Sequence, residues 1–512
     1  MGHKRKGENG EEEDSPRRPS AKNLLLDLIH AKKWMYWHDG AGRAFVTMKA
    51  VWGDGESDDT SGDHIERHPI KSRALSIKLR QLFASVHRTE GGAPGSIGDG
   101  GIKEVTDTFE ALAMKSPARE PRMRTLKDAD GSVWIDRGDE TWAAIHVTTS
   151  GWRIVEAVHV PLIREGGMKS LPEPRTDPDA LNKMRALANL GSEEDTATFV
   201  LWLLSALWPQ GPHPILAIGG EGGSGKSFLS RIARRLTDPH AVPFSPLPGK
   251  VEEVLLAGSK SWVLAFDNLS SMTPEIADAL AGRATGTSFQ KKQLYTDGEL
   301  YHGDVRGPIL LNGIPDLAAR RADLASRTLT LSLPRISDSQ RRTEAEMEDA
   351  FEAAAPGVLA LLLDAMVVAM KRLPSLKLAA SGRMADFYHL AVAAAPGFGW
   401  SEDWALGVLT SNRANMVADV IDSDVVAAAL LALHAESGNF RGSPAELLHQ
   451  LNLAQTVSSE GRESREWPRT PAQLATRIKR SGGALQDYGL AIETHRSNGR
   501  RVVTIARPEV TL

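Results

Sequence analysis

Gly220-Glu221-Gly222-Gly223-Ser224-Gly225-Lys226-Ser227 satisfies the spacing G-x-x-x-x-G-K-(S/T) at every fixed position. Glycines 220, 222, 223 and 225 let the backbone curl with its N–H groups turned inward around phosphate oxygens, with Ser224 inside the curl. Lys226 brings a mobile positive charge to the β and γ oxygens, and Ser227 can place its hydroxyl on Mg²⁺. The flanks fit. Residues 214–218 read as a short buried strand, and residues 226–236 carry apolar side chains at helical spacing until Asp238-Pro239 stops them. A Gly-rich turn with a coincidental lysine is the alternative, and the strand and helix on either side argue against it. The motif therefore implies an α/β protein with a P-loop core holding ATP and Mg²⁺.

The remaining composition narrows the class without naming a chemistry. With 512 residues the chain has room for about three domains at ~150 residues each. The formal net charge is −4, so any basic surface must be local. There are no cysteines, which removes disulfides, cysteine-ligated zinc and cysteine nucleophiles together and suits a reducing cytosol. The most apolar runs, 199–208 and 358–370, are shorter than the ~20 residues a bilayer needs and read as buried helices, so no membrane partner is expected. The basic start at residues 3–6 turns acidic at 11–14, which is no signal peptide, and residues 1–20 read as a disordered tail.

Outward from the motif, residues 262–267 form an apolar run ending in Asp267, the place where a P-loop protein orients its magnesium. Residues 308–313 form a third strand ending in Asn312, a polar group able to hold a water or a phosphate oxygen. Between them, 290–302 reads as a hairpin with Asp297-Gly298 at its turn and Lys291 and Lys292 on one arm. Arg327 and, second to it, Arg321 supply candidate arginine fingers.

This order of P-loop, strand-ending acid, basic hairpin and strand-ending asparagine resembles superfamily 3 helicases, a branch of AAA+ ATPases. Over its length the chain resembles phage and prophage proteins related to the helicase half of primase-helicases. The resemblance implies that Asn312 is a sensor, that Lys291 and Lys292 face DNA in a central channel, and that an arginine near 327 reaches a neighbouring subunit's nucleotide in a homo-oligomeric ring, a hexamer. One position departs from the pattern. A second carboxylate usually follows the magnesium aspartate, and here Asn268 follows it, which can orient water but cannot take its proton. Glu221, inside the loop itself, is the substitute carboxylate the sequence offers.

Around this core, residues 21–170 read as an α+β domain and 171–178 as a proline-rich boundary. The ATPase core would then span 178–342 and an Ala/Leu-rich helical lid or connector 343–436. The first domain shows no acidic centre for polymerase or primase chemistry, since Asp54, Asp58, Asp59 and Asp63 sit in a Gly/Ser-rich loop. Residues 437–512 resemble a winged helix. Thr470 and Pro471 start a helix, and two strands then frame a basic turn, making Arg477, Lys479, Arg480, Arg496, Arg500 and Arg501 the candidate DNA contacts. The expected function is an ATP-dependent DNA helicase or translocase for phage or mobile-element replication. The second expectation is an ATP-binding switch or scaffold that binds DNA and recruits replication proteins without unwinding.

Overall fold

The computed structural model describes residues 20–50, 64–89, 91–156, 158–269, 271–286, 289–292, 300–303, 306–313, 322–378, 384–454, 462–464, 466–497 and 500–507. The expected tail up to residue 19, the aspartates of the 51–63 loop and Arg321 lie outside them. The chain divides into two compact units, Met1–Pro121 and Arg122–Leu512.

The first unit is a three-stranded antiparallel sheet, Met35–His38, Ala44–Ala50 and His64–Pro69, with helices Ala21–Ala31, Arg73–Val86 and Asp99–Met114. Ser20 and Ser72 cap the first two helices by accepting from the N–H groups of Asn23 and Leu75. Leu25, Ile29, Val46, Leu79, Phe83 and Phe109 fill the core. The strand His64–Pro69 hides its nature because His64, Glu66 and His68 are polar yet buried. Glu66 accepts from the ring Nε2 atoms of His64 and His68 at 3.0 and 2.6 Å and from Lys78 Nζ at 2.7 Å, so the burial is compensated.

The second unit begins with an antiparallel meander, Thr125–Lys127, Val133–Asp136, Ala144–Thr148 and Gly151–Val155. Its Val133, Ile135, Ile145 and Val147 share one core with the buried helix Glu193–Leu207 and with Leu359, Leu362 and Met366 of the helix Glu344–Arg372. This corrects the expected boundary near 171–178. The elements that cover these strands lie far along the sequence, and the division falls at residue 121.

At the centre is a parallel sheet in the order Leu264–Leu269, Ile309–Gly313, Ile215–Gly220, Thr328–Leu333. Its carboxyl ends share one edge, where ligands gather in open α/β sheets. The helix Glu344–Arg372 is long and apolar enough to cross a bilayer, and 67% of its most apolar window is buried inside the protein. It is longer than the expected 358–370 run because its first turns are acidic and capped by Thr343 and Glu346.

The last part places the helix Val425–Ser437, strand Phe440–Gly442, helices Pro444–Leu453 and Pro471–Asp487, and strands Ala491–Ser497 and Arg500–Ala506 in succession. The sheet order is first, third, second. Val426 and Leu430 pack in the same core as Leu447, Leu474 and Val503.

Candidate nucleotide site

The glycine loop joins the strand Ile215–Gly220 to the helix Lys226–Thr237. Gly220, Gly223 and Gly225 have φ of +139°, +77° and +87°. A Cβ on Gly220 would sit 2.6 Å from the Leu333 carbonyl oxygen and 2.8 Å from Ser224 Oγ, so conformation and space both demand glycine there. Gly222 faces open space. Lys226 folds back over the loop, its Nζ donating at 2.7 Å to each of the carbonyls of Gly220 and Glu221. Ser224 is fully buried and its Oγ has no hydrogen-bond partner.

Ser227, Asp267 and Asn312 come from three different elements and meet beside this loop. The Asn312 amide donates to Asp267 Oδ1 at 2.7 Å and to Ser227 Oγ at 3.3 Å. Parallel register aligns Asn312 with Ile218, two residues before the loop opens. Asn268 follows in the left-handed region at φ +56°, and its N–H turns back to Asp267 Oδ1 at 2.8 Å. The strand register shifts at this point, which leaves Asn268 exposed. The loop and the Ser227/Asp267 pair suit a triphosphate and its cation: the cradle is shaped by glycines, a lysine is in reach, and a buried hydroxyl waits for a partner.

Two further residues touch the loop and carry no local sequence signal. Asn189 donates Nδ2 to the carbonyls of Ser224 and Pro334 at 3.0 and 2.6 Å, tying the loop to the segment after the last strand. Arg341 presses its guanidinium on the loop: a Cβ on Gly223 would lie 3.0 Å from it. Both line a cavity of about 620 Å³ that also takes in Phe228, Ile336 and Met347.

The other candidates lie elsewhere. Arg327 precedes the strand Thr328–Leu333, whose first residue pairs with Ile215, so it sits on the opposite edge of the sheet, roughly 15–20 Å away by strand rise. Asp323 holds it at 2.6 Å, and it is 13% exposed. Lys291 and Lys292 lie on the strand Phe289–Lys292, paired with Leu300–Gly303 through Lys291↔Tyr301 and Lys292↔Leu300. The hairpin tip and these side chains fall outside the described residues. On the helix Pro471–Asp487, Lys479 is exposed while Arg477 reaches Glu466 at 3.4 Å. Arg496 and Arg501 are exposed and directly opposite across the final hairpin; the side chains of Arg480 and Arg500 are not described.

The fold and site define a mixed α/β protein with a glycine loop at the carboxyl edge of a parallel sheet. Residues 181–423 match the family described as actinomycete integrative conjugative element replication protein, and residues 426–511 match the C-terminal domain of the same RepA family. The two stretches together exceed half the chain, and the chain belongs to this replication-protein family. No curated protein matches it. Among solved structures, the apo C-terminal region of NrS-1 aligns over 94% of this chain and 98% of its own, at 10% identity and a TM-score of 0.39. A full-length MCM homolog from Methanopyrus kandleri aligns over 57% and 73%, at 13% identity and a TM-score of 0.28.

Proposed function

We propose that this protein is an ATP-dependent DNA helicase or translocase acting in replication of its conjugative element. The observation that carries the reading is the convergence of Ser227, Asp267 and Asn312 beside a loop whose shape requires glycine. Bound magnesium would neutralise phosphate charge and polarise the bond to be broken. Ser227 and Asp267 would hold that cation. Lys226, released from the loop carbonyls, would pair with the phosphates, and Asn312 would orient the attacking water. Arg327 faces away from its own chain's site, so a role as an arginine finger would require a second copy, consistent with a hexameric ring. The helix, strand, helix, helix and hairpin succession of the C-terminal part, with its first-third-second sheet order, supports a winged-helix reading in which Lys479, Arg496 and Arg501 contact DNA.

Asn268 favours a second reading. Exposed and left-handed beside Asp267, it offers no proton acceptor where a base would stand, which suits an ATP-binding switch that recruits replication proteins. Strand displacement on a forked substrate, beside Lys226→Ala, separates the two. Displacement that the variant loses supports the motor; turnover stimulated by DNA without displacement supports the switch.

A further inference from the structure

Asn189 follows the helix Ala180–Leu187 and is half-buried. Its surroundings orient its amide. One side-chain atom lies 3.0 Å from the Ser224 carbonyl oxygen and 2.6 Å from that of Pro334, and only the NH₂ group can face two carbonyls. Both of its N–H donors are thereby committed. Oδ1, on the other arm of the amide, accepts no hydrogen bond among the described residues. A half-buried acceptor without a donor, beside the glycine loop, points to a ligand that brings the donor.

The same residue lines the cavity of about 620 Å³ that adjoins the loop at Gly223, Gly225 and Phe228. Small-molecule sites occupy roughly 300–1,000 Å³ and have mostly apolar walls with a few placed polar groups, and this cavity fits both terms. Leu187 is buried, and Phe228, Ile336 and Met347 are half-buried. The cavity wall meets the loop closely: a Cβ on Gly225 would lie 3.4 Å from Ile336 Cδ1 and 4.0 Å from the Asn189 Cβ. A triphosphate seated in the loop must lead its nucleoside out on some side, and here apolar space adjoins it.

We infer that this cavity receives the purine base of the nucleotide and that Asn189 selects a 6-amino purine, its Oδ1 accepting from the exocyclic amino group. The inference deepens the proposed nucleotide-binding reading and rests on it. A 6-oxo purine would set its own carbonyl against Oδ1, acceptor against acceptor. Turning the amide over to accommodate it would press Oδ1 on the Ser224 and Pro334 carbonyls. The two bonds that tie the loop to the segment after the last strand therefore also enforce the choice of base.

The test is equilibrium competition against a fluorescent ATP analogue, with magnesium and the full chain. The competitors are ATP, purine riboside triphosphate with hydrogen at position 6, inosine triphosphate with oxygen there, and inorganic tripolyphosphate. Wild-type affinity should fall several-fold from ATP to the 6-hydrogen purine and at least about tenfold from ATP to the 6-oxo purine. These ligand changes leave the protein untouched, so they decide the matter even if a variant fails to fold. Asn189→Ala should bring ATP and inosine triphosphate to within about twofold of each other, whereas loss of a merely structural tether would lower both by one factor. Equal wild-type affinities for those two nucleotides, or an unchanged ratio in the variant, would overturn the role of Asn189. Tripolyphosphate competing as well as ATP would overturn the base pocket while leaving the triphosphate reading standing. Absence of any binding by the wild type would overturn the inference and the nucleotide reading together.

Discussion

Asn312 donates its side-chain amide to Asp267 at 2.7 Å, across 45 positions of sequence and two adjacent strands. Asn312 is 2% exposed, so the donor side of this bond is sheltered from water. Replacing Asn312 by alanine strips the carboxylate of a buried donor, and thermal unfolding should show a loss of about 1–3 kcal/mol. On the proposed reading, DNA-stimulated hydrolysis should fall roughly 10²-fold with triphosphate affinity little changed, because the amide would act on the attacking water more than on bound nucleotide. An equal loss of affinity and turnover would show that Asn312 serves the binding geometry instead.

The loop glycines should separate by geometry. Gly220→Ala meets the Leu333 carbonyl and a φ of +139°, and should cost about 1–3 kcal/mol along with nucleotide binding. Gly222→Ala meets nothing within 4 Å and should leave the melting temperature near wild type. Calorimetry on the pair checks this, and equal destabilisation would refute the assignment of space.

The helix Lys226–Thr237 is locked to the meander through buried charge. Arg124 donates Nε to Asp238 Oδ1 at 2.9 Å, and Asp238 also accepts from Arg234 at 3.1 Å and from the Val263 N–H at 3.0 Å. Burial by itself would raise the Asp238 carboxyl; the charges of Arg234 and Arg124, with the Val263 N–H, outweigh it and hold it below the ordinary carboxylate range. A depressed folded pKa contributes stability above the unfolded value, about pH 4, and that stability is lost as pH falls below it. Arg124→Met leaves Asp238 short of a partner and should cost about 3–5 kcal/mol at neutral pH, with a shallower acid limb in the unfolding profile.

In the first unit, burial likewise pushes Glu66 up, but its bonds from His68 and Lys78 and their charges prevail and lower it to about 2. Its contribution is complete above about pH 4.3 and fades toward pH 2. Glu66→Gln should remove that part of the acid transition, which tryptophan fluorescence of the unit reports through Trp34 and Trp37. An unchanged acid midpoint would contradict the assignment.

Arg231 pairs with Glu344 at 2.8 Å, and Arg235 pairs with Glu348 and Glu352 while lying 4.2 Å from the Phe351 ring centre. Two arginines one turn apart thus hold three glutamates spaced along the neighbouring helix. Arg235→Ala should cost about 1–2 kcal/mol, falling as salt rises, since exposed pairs are screened. A salt-independent loss would mean that packing of the arginine stem dominates.

The part of the site legible in the sequence was what chemistry fixes at short range. The spacing from Gly220 to Ser227 dictates a loop, and Asp267 and Asn312 stand out as polar residues ending apolar runs. Asn189 and Arg341 gave no signal, because each reaches the loop only through the fold: Asn189 lies 35 residues from Ser224 and 145 from Pro334. The strand His64–Pro69 escaped because its inward residues are charged or polar, acceptable only with Lys78 supplied from a later helix. The apolar run 358–370 was legible as a buried helix, but not that the helix Glu344–Arg372 containing it shares a core with the meander two hundred residues earlier.

The central claim is tested most directly by equilibrium binding of a fluorescent ATP analogue in the presence of magnesium to wild type, Lys226→Ala and Asp267→Ala. The account predicts saturable wild-type binding, loss of about 10-fold or more in affinity for Lys226→Ala, and loss of the magnesium dependence for Asp267→Ala. Absence of saturable binding by the wild type, or an unaltered affinity in Lys226→Ala, would contradict it.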